Sequence, residues 1–551
     1  MLSMPGHRTS LLRALLWPAV SGLLLALAFP PVGLWPLAFL AWVPLWWALD
    51  RPGPFGCRRA YGRFLQGWTA GTVAFVGILH WLVALSNEEV TIDGLMIPAL
   101  GLLGLYLGLF FGLAALFSTV LSRRTVLPVA FWGPVIWTLA EYLRSTGPLG
   151  VTWGAAPYAL ARVAPLMQSA SVWGFWGLYF GILAVAGCLT AAIQGWRPGW
   201  VLAVLLLGAG FVHGAVVMPP ETDGRGDGAP SLAATRSGQS AASADAQRAE
   251  RVLVMQPNIR REIKWKRELR EEVIDTVLTH GIRAVQEAGG GDAFDWAVWP
   301  ETVLPTRLLD DLYALRRVQR FAGMTGRPIL LGTQEGYWGH PDGEREWVAH
   351  NSALVARPDG SFSPAYRKIR LVPFSERMPL QKIAPWIRSI DFGQSNFFPG
   401  EAPTLLAVNS TRVGGLICFE AAFPDLPRAM VRAGAQVLVN ITNDFWFERT
   451  AGPRQHADMA VLRAVENRVP LVRCANTGIS FAVDAYGRIS HETELFERTS
   501  FTATVVPRGG GSFATRIGDA WTLVLLAGAA LILGLRWRRG ADTGGGRHDV
   551  A

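Results

Sequence analysis

Eight stretches of this chain are long, apolar and almost free of charge, and they dictate its architecture. Residues 11–29, 34–49, 64–85, 95–121, 126–143, 168–193 and 200–217 come first, and 515–535 lies near the end. Each is near the roughly 20 residues that an α-helix needs to cross a bilayer. A spanning helix also satisfies its own backbone polar groups, which lipid cannot do. The run 126–143 fits least well, because it carries Pro128, Pro134 and Glu141. Arg8 and Arg13 give the first run the positive start of a signal peptide. However, Pro30-Pro31 leads at once into the second run with no clear small-residue cleavage site, so a helical hairpin is expected.

The charged residues sort the loops. Arg8 and Arg13 open the first run; Arg51, Arg58, Arg59 and Arg63 lie between the second and third; Arg123 and Arg124 between the fourth and fifth; Arg197 between the sixth and seventh. The alternate loops are different: 29–33 has no charge, and 86–94 holds Glu88, Glu89 and Asp93. Basic loops mark the cytoplasmic side. Seven spans starting inside end outside, so residues beyond about 218 are expected to be extracytoplasmic. Arg536, Arg538 and Arg539 after the eighth run return the C-terminus to the cytoplasm, in agreement with the N-terminal reading. The formal charge of +9 therefore sets topology. The arginines form no aromatic-interleaved patch, and a nucleic-acid partner is not expected. Only 17% of residues are charged, where a soluble enzyme has nearer a quarter.

Four units follow: spans in 1–217, a flexible Gly/Ala/Ser/Asp-rich tether in 218–250, a folded domain in 251–507, and the last span with a cytoplasmic tail in 508–551. Within 251–507, short apolar runs alternate with helical stretches, which argues for an α/β domain. Four cysteines are too few for a disulfide scaffold. Cys57 and Cys188 look structural or incidental. Cys474, in Leu471-Val472-Arg473-Cys474, reads as a buried core thiol, unbridged to Cys418.

The chemistry gathers around Gly414-Gly415-Leu416-Ile417-Cys418-Phe419-Glu420. A strand ends on Cys418, which can hold its sulfur above a sheet, and the two glycines allow close backbone approach. A thiol needs a base and a nearby cation to act as a nucleophile. Upstream, Glu301 follows Trp296-Ala297-Val298-Trp299-Pro300, an apolar setting that would raise its pKa and suit a base. Lys368 lies in Tyr366-Arg367-Lys368, ahead of Leu371-Val372-Pro373-Phe374-Ser375-Glu376.

This ordered Glu301, Lys368, Cys418 set resembles the nitrilase superfamily over roughly residues 250–507. The whole chain resembles its membrane-bound branch, the apolipoprotein N-acyltransferases. Val254-Met255-Gln256-Pro257-Asn258-Ile259, Lys264-Trp265 and Thr442-Asn443-Asp444-Phe445-Trp446-Phe447 carry the likeness further. The resemblance implies an αββα sandwich, outside the cytoplasm of a bacterium, joined to an eight-span helical bundle in the inner membrane. It implies Glu301 as general base, Lys368 as the cation at the oxyanion and Cys418 as the nucleophile. Glu376 and Glu420 would be supporting acids, and Trp265 and Trp446 would line the lipid site. The implied donor is a phospholipid such as phosphatidylethanolamine. The implied acceptor is the α-amino group of S-diacylglyceryl cysteine at the N-terminus of an apolipoprotein. Membrane lipids surround a monomer, with no cofactor. Two residues depart from the family pattern: Phe419 where Tyr is common, and Glu448 where Gly is usual. No metal is expected either, since His456 has no ligand partner at metal-site spacing.

Two other functions compete. A membrane-anchored amidase would use the same three residues with water as acceptor, yet eight spans are a large anchor for a soluble substrate. A transporter or lipid-binding scaffold would carry more charge inside its spans.

Overall fold

The computed structural model describes residues 5–51, 60–85, 94–220, 248–341, 345–379, 386 and 395–544. Cys57, Arg58, Arg59, Glu88, Glu89, Asp93, most of the tether and the tail with His548 lie outside those residues. So do the side chains of Arg8, Arg13, Arg536, Arg538 and Arg539.

The first part is helical: Pro5–Leu27, Ala60–Ile78, Met96–Thr125, Val129–Arg144, Ala170–Ile193 and Pro198–Val217. Among the described residues, Met96–Thr125, Ala170–Ile193 and Pro198–Val217 are three helices long and apolar enough to cross a membrane. The run 34–49 does not form one unbroken helix. Its hydrogen-bond ladder is interrupted between Leu37–Leu40 and Val43–Asp50, where Pro44 has no N–H to give, although Ala41 and Trp42 between them keep helical dihedrals. The run 64–85 stops as α-helix at Ile78 and goes on as the 3-10 turn His80–Ala84. The run 515–535 is likewise divided, into Phe513–Ile517 and Ala520–Gly544, with Gly518 at φ +65° between them.

Helices Ala60–Ile78 and Met96–Thr125 touch through small residues. A methyl group at Gly67 would stand 2.3 Å from the Phe111 carbonyl oxygen, and one at Gly71 would stand 2.8 Å from the Gly108 Cα. Such stripes let helices approach closely where no hydrophobic effect drives them together. The acid that makes 126–143 a poor span is neutralised locally. Glu141 pairs with Arg144 at 2.6 Å, both buried. Arg144 Nη1 also donates to the Val151 and Trp153 carbonyls at 2.7 and 3.1 Å, which ties down the loop that follows.

The second part holds two six-stranded sheets. Its strands are β1 Glu250–Gln256, β2 Trp296–Val298, β3 Ile329–Gly339, β4 Glu346–Ala356, β5 Tyr366–Arg367, β6 Leu405–Val408, β7 Thr411–Ile417, β8 Val437–Thr442, β9 Leu471–Ala475, β10 Phe481–Val483, β11 Ile489–Ser490 and β12 Thr499–Val505. One sheet runs β12-β1-β2-β3-β4-β5 and the other β11-β10-β9-β8-β7-β6. At each centre lie three parallel strands, β1-β2-β3 and β7-β8-β9, flanked by antiparallel ones.

Alternate residues decide which layer each face joins. Val252, Val254, Val298 and Val355 face Ile417, Val439, Ile441 and Val472 of the other sheet. Leu253, Met255, Ala297 and Leu331 face away, onto Val273, Ile274 and Val277 of helix Arg270–Ala288 and Val318 and Phe321 of helix Leu312–Thr325. Helices Asp425–Arg432 and Gly452–Asn467 lie against the second sheet, which completes four αββα layers. Cys474 lies between the sheets, a fully buried free thiol that donates to Met255 O at 3.3 Å and Val298 O at 3.4 Å.

Candidate active site

The parallel strands carry their chemistry at one rim. Cys418 follows β7, Glu301 comes three residues after β2, Asp444 two after β8, and Lys368 follows β5. Open α/β sheets place ligands beyond the carboxyl ends of their strands in this way. Cys418 stands at φ +53° and opens the 3-10 turn Cys418–Ala422, so the chain swings sharply and presents the sulfur at the rim. Left-handed backbone is uncommon outside glycine and concentrates at functional sites.

Glu301 and Lys368 are both buried, with Lys368 Nζ 3.8 Å from Glu301 Oε1. Glu376 holds the lysine from the other side at 2.9 Å, while its second oxygen accepts from Val372 N at 2.9 Å. Asn351 Nδ2 spans the two acids, donating to Glu301 Oε1 at 2.7 Å and Glu376 Oε1 at 3.2 Å. Burial opposes the Lys368 charge, but Glu376, the Cys418 sulfur, Glu301 and Glu420 outweigh it and hold the ammonium well above its ordinary pKa. Burial raises the Glu301 pKa above the usual carboxylate range, with Lys368, Asn351 and Lys264 opposing. Cys418 is half-buried as a residue. Even so, burial of its surroundings pushes the thiol pKa well up, the Glu301 charge adds to that, and Lys368 opposes it. Burial thus favours the thiol form of Cys418 at rest.

Glu420 ties the Cys418 turn to the Lys368 loop. It is fully buried and accepts from Ile417 N at 2.7 Å, Ile369 N at 2.7 Å, Arg370 N at 3.0 Å and the Tyr366 hydroxyl at 2.8 Å. Burial pushes its pKa up to about 7 against those backbone donors, which favour the charged form.

Beneath Cys418 lies a polar group that sequence spacing does not reveal. Asp444 accepts from Arg473 Nη2 at 2.7 Å, from the Thr442 hydroxyl at 2.8 Å and from His456 Nδ1 at 2.9 Å, all out of solvent. Asn440 Nδ2 donates to Leu416 O and Cys418 O, each at 3.2 Å, and Arg473 Nη1 donates to Asn440 Oδ1. The expectation that His456 lacks partners is thus corrected: Cys418, Asp444 and His456 place potential ligand atoms within 4.8 Å of one another. The donor set does not suit a metal, because both Asp444 oxygens are already engaged and the Arg473 guanidinium stands where a second cation would be repelled. Burial and Arg473 lower the His456 pKa, so it stays neutral with Nδ1–H turned to Asp444.

Trp265 and Trp446 are not core residues. They are 47% and 39% exposed. Trp446 stacks on Phe445 at 4.4 Å, and Arg261 lies 5.5 Å from each of those rings. Trp265 borders Lys264, whose buried ammonium has no hydrogen-bond partner among the described residues and whose pKa burial lowers to about 8, with Glu301 opposing. Glu448 adopts φ +48°, ψ −157°, a conformation that suits glycine.

A family described as the apolipoprotein N-acyltransferase N-terminal domain matches residues 21–188, and one described as carbon-nitrogen hydrolase matches residues 252–513. The apolipoprotein N-acyltransferase of Geobacter metallireducens is 34% identical over 98% of this chain and 98% of its own length. That of Sinorhizobium medicae is 33% identical over 85% of each chain. Among solved structures, an amidase from Nesterenkonia sp. is 20% identical over 49% of this chain and 95% of its own, with a TM-score of 0.34. Relatives of this identity along nearly the full length, with both domain types in order, place the chain in the apolipoprotein N-acyltransferase family.

Proposed function

We propose that this membrane acyltransferase takes a fatty acyl chain from a phospholipid, carries it as a thioester on Cys418, and delivers it to the α-amino group of an S-diacylglyceryl cysteine. Its substrates are lipid and lipoprotein; phosphatidylethanolamine is the proposed donor. The observation that carries the mechanism is the meeting of Cys418 with a buried carboxylate and a buried ammonium that lie 3.8 Å apart.

Glu301 takes the thiol proton as the sulfur adds to the ester carbonyl. The developing oxyanion is held by the Lys368 ammonium and a backbone N–H at the start of the Cys418 turn. Glu301 then protonates the departing lysophospholipid alcohol. In the second half it deprotonates the incoming amine, which displaces the sulfur and leaves an amide. Asn351 and Glu376 hold the two charged groups in place, and Glu420 fixes the turn. Two half-reactions on one sulfur give ping-pong kinetics.

The remaining architecture follows the charge pattern. Eight spans, in 1–217 and 508–551, anchor the catalytic domain 251–507 outside the cytoplasm of a bacterial inner membrane. The tether 218–250 joins them, and both termini are cytoplasmic. Supporting this are the apolar helices and the basic loops. The test is a gel-mobility assay on a diacylated lipopeptide with phospholipid. The wild type is expected to give the triacylated product and Cys418→Ala none. Full activity in Cys418→Ala overturns the mechanism. Fatty acid released to water at one rate with or without lipopeptide makes the chain a hydrolase.

A further inference from the structure

The helical part of the molecule touches the nucleophile turn itself. Thr152 Oγ1 donates to Ala422 O at 2.8 Å, and the Tyr158 hydroxyl donates to the same carbonyl, at the end of the turn that Cys418 opens. Between those hydroxyls in sequence, Trp153 lies parallel to Phe419 at 6.2 Å and to His456 at 5.8 Å. Trp81 closes the group, 5.0 Å from Trp153 and 4.8 Å from Phe447. Trp81, Trp153 and Phe419 are all buried. An aromatic wall contributed by both halves of the protein thus stands beside Cys418.

One side chain fastens that wall. Gln455 is 2% exposed, on the helix that also carries His456. Its Oε1 accepts from Trp153 Nε1 at 2.7 Å and Trp81 Nε1 at 3.1 Å. Its Nε2 donates to Pro30 O at 2.7 Å and Ile78 O at 3.1 Å. Two indole donors and two carbonyl acceptors fix the amide orientation, because only this one pairs every group. A single amide of the catalytic domain therefore joins three separate segments of the helical part. Apolar packing alone would not call for a buried amide here, and its loss would strand four polar groups.

We infer that Gln455 is a positioning residue that holds the Trp81–Trp153 wall over the Cys418 turn and thereby shields the acyl thioester from water. The inference rests on the reading that Cys418 carries the acyl chain. The intermediate has two fates. In transfer, the amine nitrogen bonds to the carbonyl carbon, the C–S bond breaks, and the amine proton passes to sulfur. In hydrolysis, water oxygen bonds there instead, the same bond breaks, and free fatty acid leaves with the thiol restored. A wall that loosens shifts the balance towards water.

The test uses full-length protein with phospholipid and diacylated lipopeptide, and follows acyl-Cys418, amide and free fatty acid together. Gln455→Met keeps the length and removes all four bonds. It is expected to raise fatty acid released per amide formed by about tenfold. Gln455→Glu, protonated in its buried site, keeps one acceptor and one donor and is expected to rescue most of that shift. If both products fall in parallel and their ratio stays constant, Gln455 is merely structural and the inference is overturned. If Gln455→Met fails to fold, Trp81→Phe removes one indole donor while keeping a ring, and the same ratio decides. Wild-type protein without acyl-Cys418 would refute the thioester itself; acylated wild type with an unchanged ratio in the variants refutes only the shield.

Discussion

At the scale of single residues, the site is an exercise in keeping charge where water is scarce. Glu301 must be ionised to act, and burial raises its pKa. Activity is lost as pH falls through that raised value, so the acid limb of kcat/KM should lie above the ~4.3 of an exposed glutamate. Asn351→Ala removes a donor that favours the carboxylate. It should move the acid limb to still higher pH, as a rate profile across pH would record. Glu448 gives a stability prediction. A non-glycine residue at φ +48°, ψ −157° is strained, so Glu448→Gly should stabilise the protein by about 1 kcal/mol, read as a rise in thermal midpoint. Glu301 and Cys418 stood out in the sequence as candidates because each comes just after an apolar run; Lys368 lies in a basic segment and stood out only by its place between them and by the family resemblance. Asn351, Asp444 and Arg473 did not, since an amide, an acid and a guanidinium inside ordinary strand and loop sequence carry no sign of their partners. Glu448 was visible only as a departure from a family pattern, and its backbone shows why glycine is usual there.

At the scale of elements, close backbone contact holds the Glu301 loop in register. A methyl group at Gly332 in β3 would stand 2.6 Å from both Glu301 Cα and Thr302 N. Gly332→Ala must therefore push the Glu301 loop away, and kcat/KM should fall by about 100-fold, the cost of a misplaced catalytic group. The buried Asp444–Arg473 pair beneath Cys418 is similarly unforgiving. Arg473→Met leaves the carboxylate without its cation and should cost about 3–5 kcal/mol, measured by denaturation in detergent. The alternation of short strands with helices was readable, and the strands fell near where the apolar runs stood. The reach of β3 and β4 was not: their outer residues Tyr337, Trp338 and Trp347 are 47%, 61% and 36% exposed, and strand pairing carries them beyond the core. Nor was the break in the hydrogen-bond ladder of 34–49 at Pro44, which leaves Leu37–Asp50 a short apolar helix.

At the scale of the whole molecule, the helical part is more than an anchor. Its loop 151–160 is bonded to the Cys418 turn, and Arg144 braces that loop from behind. The contrast in hydropathy along the sequence separates an apolar helical part from a folded α/β part. It could not announce their junction, which depends on residues such as Gln455 and Trp81 that are 374 positions apart. Topology reporters test the proposed arrangement: fusions within 218–250 should be active outside the cytoplasm, and fusions at the C-terminus inside it. The central claim is that the acyl chain pauses on Cys418. The most direct measurement is the mass of the Cys418 peptide after full-length protein meets phospholipid, before and after lipopeptide is added. One fatty acyl group on Cys418, discharged as the lipopeptide gains an amide, is the predicted result. Amide formed with that peptide never acylated, or acylated elsewhere, would contradict it.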